Sequence, residues 1–228
     1  MEINEIFFSI QGEGASIGTP SLFVRFSGCN KNCWFCDSKY HTIVDPDLNE
    51  DSIFAAIKKY NVKNLILTGG EPLLQQTNIV AFLTNYALHD LKIKIEIETN
   101  GSIPLTYAFK RYIVKHKNIS FNISPKLPSS HNKPYTPFLI NDTSYLKVDT
   151  SFKFVYDVKD KGKEILTFIN EYYFEYIDDK SLIYIMPEGA TKKDQEKKMQ
   201  KVIEFCCENN FIFSPRLQIL IWNDKRGV

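Results

Sequence analysis

Leu22-Phe23-Val24-Arg25-Phe26 runs through Ser27-Gly28 into Cys29-Asn30-Lys31-Asn32-Cys33-Trp34-Phe35-Cys36. An apolar, β-prone run thus meets three cysteines, with three and then two residues between them. Gly28 allows a tight backbone turn just before the first thiol. Four thiolates would close a zinc or iron–sulfur site, whereas three leave one metal corner empty. An empty corner on a cube of iron and sulfide is where a small molecule can be held and given an electron. Phe35, directly before the third cysteine, offers a flat apolar face beside it. The same spacing also fits a zinc knuckle with a remote fourth ligand such as His41, or a reactive-thiol loop.

Outward from this loop the chain alternates strand and helix. Upstream, the β-prone residues 3–8 lead into Ser9-Ile10-Gln11-Gly12-Glu13-Gly14. Gly12 and Gly14 let backbone approach a ligand, and Gln11 and Glu13 can read the donors and acceptors of a heterocycle. Downstream, the pattern predicts helices over 49–60, 78–89, 104–115, 163–173 and 192–208. It predicts strands over 64–68, 92–98, 119–124, 151–156, 182–186 and 216–222. The segment 127–145, rich in Pro, Ser, Asn and Thr, reads as an irregular loop. Strands separated by helices call for parallel βαβ units, and about six of them are too few for a full eight-unit barrel. An α/β fold built as a partial (β/α) barrel follows.

In such folds ligands gather beyond the carboxyl ends of the strands. The unusual residues all occur there. The cysteine loop follows the first core strand, Gly69-Gly70-Glu71-Pro72 the next, Thr99-Asn100-Gly101 the third and Ser124-Pro125-Lys126 the fourth. Each alone reads equally well as an ordinary strand-to-helix turn. Together, on successive strands, they define one rim.

Composition bounds the partners. The chain has 228 residues, 43% hydrophobic and 24% charged, as expected of one globular domain spanning 1–228. A formal net charge of +1 gives no overall footprint for nucleic acid. Five cysteines, three of them in one loop, argue against a secreted disulfide framework and for a reducing cytoplasm. Cys206 and Cys207 sit in an apolar helical stretch and behave as small hydrophobes. No apolar run approaches the ~20 residues needed to span a bilayer, and no signal pattern opens the chain.

The cysteine spacing, with Phe35 in its place, resembles the cluster motif of radical S-adenosylmethionine (SAM) enzymes. Over nearly the whole chain, the motifs resemble those of 7-carboxy-7-deazaguanine synthases. They comprise Phe8 to Gly14, Phe23-Val24-Arg25, Gly28-Cys29 to Cys36-Asp37-Ser38, Thr68 to Pro72, Glu98 to Gly101, Ser124-Pro125-Lys126, Lys153-Phe154-Val155 and the terminal Lys225-Arg226-Gly227-Val228. The cluster portion is common to radical SAM enzymes; the Gln-Gly-Glu-Gly turn together with Cys36-Asp37-Ser38 narrows the resemblance.

That resemblance implies conversion of 6-carboxy-5,6,7,8-tetrahydropterin to 7-carboxy-7-deazaguanine with loss of ammonia, toward deazapurines such as queuosine. It implies a 4Fe-4S cluster on Cys29, Cys33 and Cys36, in a loop spanning 28–40. The reduced cluster would cleave SAM to a 5′-deoxyadenosyl radical, with no protein side chain acting as acid or base. SAM would be held by Phe35, Cys36, Asp37, Gly70 and Glu71, with Ser124 and Lys126 as further contacts. Ile10, Gln11, Gly12 and Thr68 would touch the pterin, and Arg25 would meet its carboxylate. Ser38 matches a magnesium-binding hydroxyl, usually threonine in the family. A C-terminal strand and tail, 216–228, would bring the α-carboxylate of Val228 to the pterin's donor edge. The resemblance further implies a homodimer reduced by a flavodoxin- or ferredoxin-type protein. Gln218 departs from the histidine some members carry. Two readings stay open: another radical SAM activity, such as a glycyl-radical activase, and a non-enzymatic zinc module.

Overall fold

A computed structural model describes residues 1–132, 149–172 and 182–228. The part of the expected 127–145 loop from 133 onward, and the expected helix end at 173, lie outside the described residues.

Eight strands form one sheet in sequential order: β1 (Ile3–Ile10), β2 (Pro20–Phe26), β3 (Asn64–Gly69), β4 (Lys94–Thr99), β5 (Ile119–Ile123), β6 (Asp149–Tyr156), β7 (Ile183–Pro187) and β8 (Ile212–Phe213). β1 pairs antiparallel with β2, and every later pairing is parallel. Helices α1 (Glu50–Tyr60), α2 (Gln76–Asn85) and α3 (Tyr107–Lys115) make the crossovers from β2 to β5. α4 (Lys163–Tyr172) and α5 (Lys192–Asn209) connect β6 to β8. The parallel (β/α) architecture expected from the sequence is present.

Local chemistry explains the elements. α1 opens with a reciprocal cap in which the Asn49 side chain accepts from the Ser52 amide and Ser52 Oγ accepts from the Asn49 amide. It closes on Asn61 in the left-handed region, φ 48°. Thr106 and Thr191 cap α3 and α5 in one direction only, their hydroxyls accepting from the Phe109 and Asp194 amides. Strand alternation sends Leu22, Val24, Phe26, Leu65, Leu67, Ile95, Ile97, Phe121, Ile123, Phe152 and Phe154 into one apolar core with helix residues such as Ile53, Phe82 and Phe109. The alternate positions, Phe23, Arg25, Thr68, Glu98, Asn122 and Lys153, line a cavity on the other face. One face of the sheet is therefore oil and the other is charged.

The last expected strand requires correction. Residues 217–222 form a helix, α6 (Leu217–Trp222), and the final strand is the short β8 upstream. Periodicity cannot separate strand from buried helix in an apolar run this short. What decides is the Arg216 carbonyl, which accepts from the amides of Ile219 and Leu220 and so winds the chain as soon as it leaves the sheet.

Among the described residues β8 does not pair with β1, so the sheet stays open. The gap is closed by loops. The Leu217 amide donates to the Gly12 carbonyl at 3.0 Å, and the Gly14 amide to Ser214 Oγ at 2.9 Å. The sheet is thus curled far enough for the loops beyond its two edge strands to touch, with the charged face inward. No helix among the described residues is long and apolar enough to cross a membrane.

Candidate active site

Two adjoining cavities occupy the rim, of about 230 Å³ and about 500 Å³. Asp37, Ser38, Gly70, Lys126 and Arg216 line both. The smaller holds the side expected to bind substrate: Ile10, Gln11, Gly12, Arg25, Thr68 and Val228 all border it, and so does Ser124, which was expected as a SAM contact. The larger holds Cys29, Cys33, Phe35 and Cys36. The thiols and most of the expected substrate contacts thus face two spaces that share a wall, with Asp37, Gly70 and Lys126 bordering both.

The glycines of the second rim turn serve close approach. A Cβ on Gly70 would overlap the Gly28 carbonyl oxygen and lie 2.9 Å from Cys29 Cβ. The Gly70 amide donates to the Phe26 carbonyl, and the Glu71 amide to the Gly28 carbonyl, binding this turn to the start of the cysteine loop.

Cys29, Cys33 and Cys36 border the 500 Å³ space together, which leaves room among the thiols for a multi-atom cluster. Two of the sulfurs already receive N–H donors: Cys29 from the Lys31 amide at 3.4 Å, Cys33 from Asn132 Nδ2 at 3.1 Å. Such donors stabilise metal-bound thiolate. Burial pushes the free Cys29 and Cys36 thiols above their ordinary range, and coordination would remove those protons outright. His41, the alternative fourth ligand, borders the same space.

The smaller cavity is built on a charged network. Glu13 Oε2 accepts from Lys153 Nζ at 2.6 Å, and Glu13 Oε1 from Arg216 Nε at 2.8 Å and Gln218 Nε2 at 2.6 Å. Burial by itself would favour the neutral acid, yet Lys153 and Arg216 hold the Glu13 carboxyl well below the usual carboxylate range. Arg216 also donates to Asp37 through Nη2 and to the Gly189 carbonyl through Nη1 at 2.7 Å. Burial opposes ionisation of Asp37 as well, but the Arg216 charge prevails and lowers its pKa. Glu98 accepts from Thr68 Oγ1 at 2.7 Å and Gln11 Nε2 at 3.2 Å. Deeper, burial and then the neighbouring Glu98 charge raise the pKa of Glu96.

Several expected residues are used differently from their sequence reading. Glu71 borders neither cavity and is fully buried. Its carboxylate accepts from Thr99 Oγ1 and from the amides of Asn100 and Leu73, so it joins two rim turns rather than facing a ligand's ammonium. Gln11 and Glu13 likewise spend their side chains within the protein. Gln11 Oε1 accepts the Glu13 amide, while its Nε2 serves Glu96 and Glu98. Gln218 also borders the cavity, and the missing Cβ of Gly12 is what leaves room for its Oε1.

Sequence reasoning passed over Glu98, Asn122, Lys153 and Arg216 as site residues, though all four border the smaller cavity. For three of them a signal existed. A strand covered by helices on one side and still carrying Asn122 or Lys153 between apolar neighbours, or Glu98 after Ile97, must turn that residue into a lumen.

Residues 23–184 match the Radical SAM superfamily. The open parallel barrel with a three-cysteine loop at its rim is the scaffold of that class. The chain is 35% identical to a 7-carboxy-7-deazaguanine synthase of Clostridium acetobutylicum, over 100% of this chain and 99% of that one. It is 33% identical to one from Halobacterium salinarum, over 98% and 91%. Among solved structures, QueE from Escherichia coli shares the fold with a TM-score of 0.67 at 20% identity, covering 95% of this chain and 93% of that one. Within the radical SAM superfamily, this chain belongs to the 7-carboxy-7-deazaguanine synthase family.

Proposed function

We propose that the chain is a carbon–nitrogen lyase that contracts 6-carboxy-5,6,7,8-tetrahydropterin to 7-carboxy-7-deazaguanine with loss of ammonia. The observation that carries this reading is the shared wall between a three-thiol cavity and a smaller cavity with a guanidinium and carboxylates around it. Cys29, Cys33 and Cys36 would hold a 4Fe-4S cluster. When bound, the cluster and SAM supply a 5′-deoxyadenosyl radical that removes hydrogen from carbon.

This chain's own residues hold and orient. Phe35, Cys36, Asp37 and Gly70 border the space next to the thiols and would seat SAM. Lys126, held by Ser124 Oγ at 2.8 Å, stands on the wall between the two spaces. Arg25 commits Nε to Glu5, and Nη1 lies 3.5 Å from Ser38 Oγ, so the remaining Nη hydrogens would form the fork for the substrate carboxylate. Glu98 and the Val228 carboxylate are acceptor-only groups suited to the donor edge of an amino-pyrimidinone. Thr68, Ile10, Gln11 and Gly12 complete the seat. The snug volume keeps the two reactants in register and limits water.

Magnesium would rest on Ser38 Oγ, with the nearby Asp37 Oδ1 at 3.0 Å and substrate oxygens and waters completing the octahedron. We place the enzyme in the cytoplasm, as a homodimer reduced by a flavodoxin- or ferredoxin-type protein, without nucleic-acid or membrane partners, on a route to queuosine-type deazapurines.

The deciding experiment is anaerobic reconstitution with iron and sulfide, followed by SAM, reductant and the carboxy-tetrahydropterin. Formation of the deazaguanine acid with release of ammonia is expected. SAM cleavage without pterin conversion would point to another radical SAM reaction, and a colourless zinc-loaded protein to a binding module.

A further inference from the structure

Arg25 and the C-terminal tail approach the smaller cavity from opposite ends of the sequence, and one side chain holds both. Regular alternation would put Ile3 and Glu5 on the same face of β1. A bulge between them intervenes, pairing Ile3 with Phe26 but Glu5 with Arg25. Ile3 therefore enters the apolar core while Glu5 turns to the charged face, cross-strand from Arg25. There Glu5 Oε1 accepts from Arg25 Nε at 2.7 Å, and Tyr40 Oη lies 3.5 Å from the same oxygen.

The second oxygen is also taken. Glu5 Oε2 accepts from Arg226 Nη2 at 3.2 Å, and the same Nη2 reaches Asn4 Oδ1 at 3.2 Å. The Arg226 guanidinium lies 3.7 Å from the Tyr40 ring centroid, and that of Arg25 5.6 Å from it. Tyr40 is fixed in turn by Asn4, whose Nδ2 donates to the Tyr40 carbonyl at 3.0 Å. Two residues beyond Arg226, Val228 borders the cavity.

We infer that Glu5 is the positioning residue of the substrate site, fixing the Arg25 fork with one carboxylate oxygen and, through Arg226, the C-terminal tail with the other. The inference rests on the substrate reading above. Glu5 borders neither cavity and so acts only through its two arginines. Its side chain is 15% exposed, so the pair with Arg25, itself 14% exposed, is shielded from solvent. Arg226, at 48%, depends on stacking and on the fixed anion to stay in place. A Gln at position 5 keeps the shape but removes the charge and one of the two acceptor oxygens.

The test uses the full-length, reconstituted enzyme and three variants: Glu5→Gln, Arg226→Ala and the double variant. Amide hydrogen exchange over residues 224–228, measured before any ligand is added, should be faster in all three than in wild type. The pterin KM should rise about tenfold or more in each single variant, the loss expected for a charge-assisted hydrogen bond, with the SAM KM within about twofold. The double variant should be no worse than the more impaired single one, because both act on the same tail. Arg226→Lys should recover part of the pterin KM by restoring a cation for Glu5. Unchanged tail exchange in Glu5→Gln would overturn the inference. So would a loosened tail with an unchanged pterin KM, which would leave Glu5 a structural anchor only, and so would additive effects in the double variant. If the wild-type chain does not convert the pterin at all, the substrate reading has failed instead, and tail exchange still decides whether Glu5 holds the tail.

Discussion

Glu13 and Arg216 lie 203 residues apart and meet through a 2.8 Å hydrogen bond from Nε to Oε1. Glu13 belongs to the turn after β1 and Arg216 to the segment between β8 and α6, so this bond spans the open seam of the barrel. Because Arg216 also grips Asp37, one guanidinium joins the seam to the cysteine loop.

Replacing Glu13 with Gln should therefore be costly. Lys153 and Arg216 would each lose a buried counter-charge, although Glu98 and Asp37 remain beside them. A loss of about 3 kcal/mol at pH 7 is expected, the lower end for breaking a buried pair. The pH dependence carries the sign. The folded pKa of Glu13 lies below its ordinary 4.5, so its contribution is present above that value and fades as pH falls. The gap between wild type and Glu13→Gln should narrow by about 2 kcal/mol between pH 7 and pH 3. Parallel denaturant titrations at the two pH values measure it. A gap that stays constant would show that the carboxylate charge is not what stabilises the seam.

Gly70→Ala tests the approach of two rim turns. The added methyl would overlap the Gly28 carbonyl oxygen, which is backbone and cannot swing aside. The turn must separate from the cysteine loop, at about 1–3 kcal/mol of stability. Iron bound per chain after reconstitution should fall severalfold, with weaker SAM affinity. Iron content and SAM binding equal to wild type would show that the loop tolerates the displacement.

Cys29→Ala, Cys33→Ala and Cys36→Ala should each abolish SAM cleavage while far-ultraviolet circular dichroism stays that of a folded α/β protein. All three lie in the loop beyond β2, outside the strand–helix core cluster. Cleavage retained in any one of them would remove that thiol from the cluster.

Much of this site was legible in the sequence, for a physical reason. A parallel sheet collects its ligands at the carboxyl ends of its strands, and strand ends can be read from apolar runs. Cys29, Gly70 and Ser124 therefore fall on one rim by their places in the sequence. What stayed hidden depends on which way a side chain turns within its loop. Glu71 sits in a rim turn, yet its carboxylate folds back onto Thr99 and Asn100. Arg216 follows a proline and precedes an apolar run equally compatible with strand and helix, and nothing local marks it as the partner of Glu13. The Glu5–Arg226 pair is hidden for the same reason, since its two members lie 221 residues apart.

Ser38 offers a chemical test with little structural risk. Its hydroxyl donates to Asp37 Oδ1 at 3.0 Å and lies 3.5 Å from Arg25 Nη1, both at the cavity wall. Ser38→Ala should reduce magnesium-dependent turnover at least about tenfold, the scale of losing one charge-assisted contact, while SAM affinity changes little. Ser38→Thr keeps the hydroxyl and should remain active. An Ala variant whose turnover still rises with magnesium as in wild type would rule the hydroxyl out as a ligand.

The end of the chain invites a last test. Terminal residues of most domains fray, and Lys225, Arg226 and Gly227 are indeed exposed. Val228 nevertheless borders the smaller cavity, because Arg226 is tied to Glu5, Asn4 and the face of Tyr40. Gly227, at φ +70°, supplies the left-handed bend between that anchor and the terminus. Nothing lies within 4 Å of where its Cβ would be, so Gly227→Ala meets only backbone strain of about 1 kcal/mol and should weaken pterin binding modestly. Amidating Val228, or extending it with a tag, removes the anion itself. Pterin affinity should then fall about tenfold or more, while SAM cleavage without substrate continues. The two changes separate placement from charge. If amidation costs no more than Gly227→Ala, the carboxylate is not read by the substrate, and the tail serves only to close the cavity.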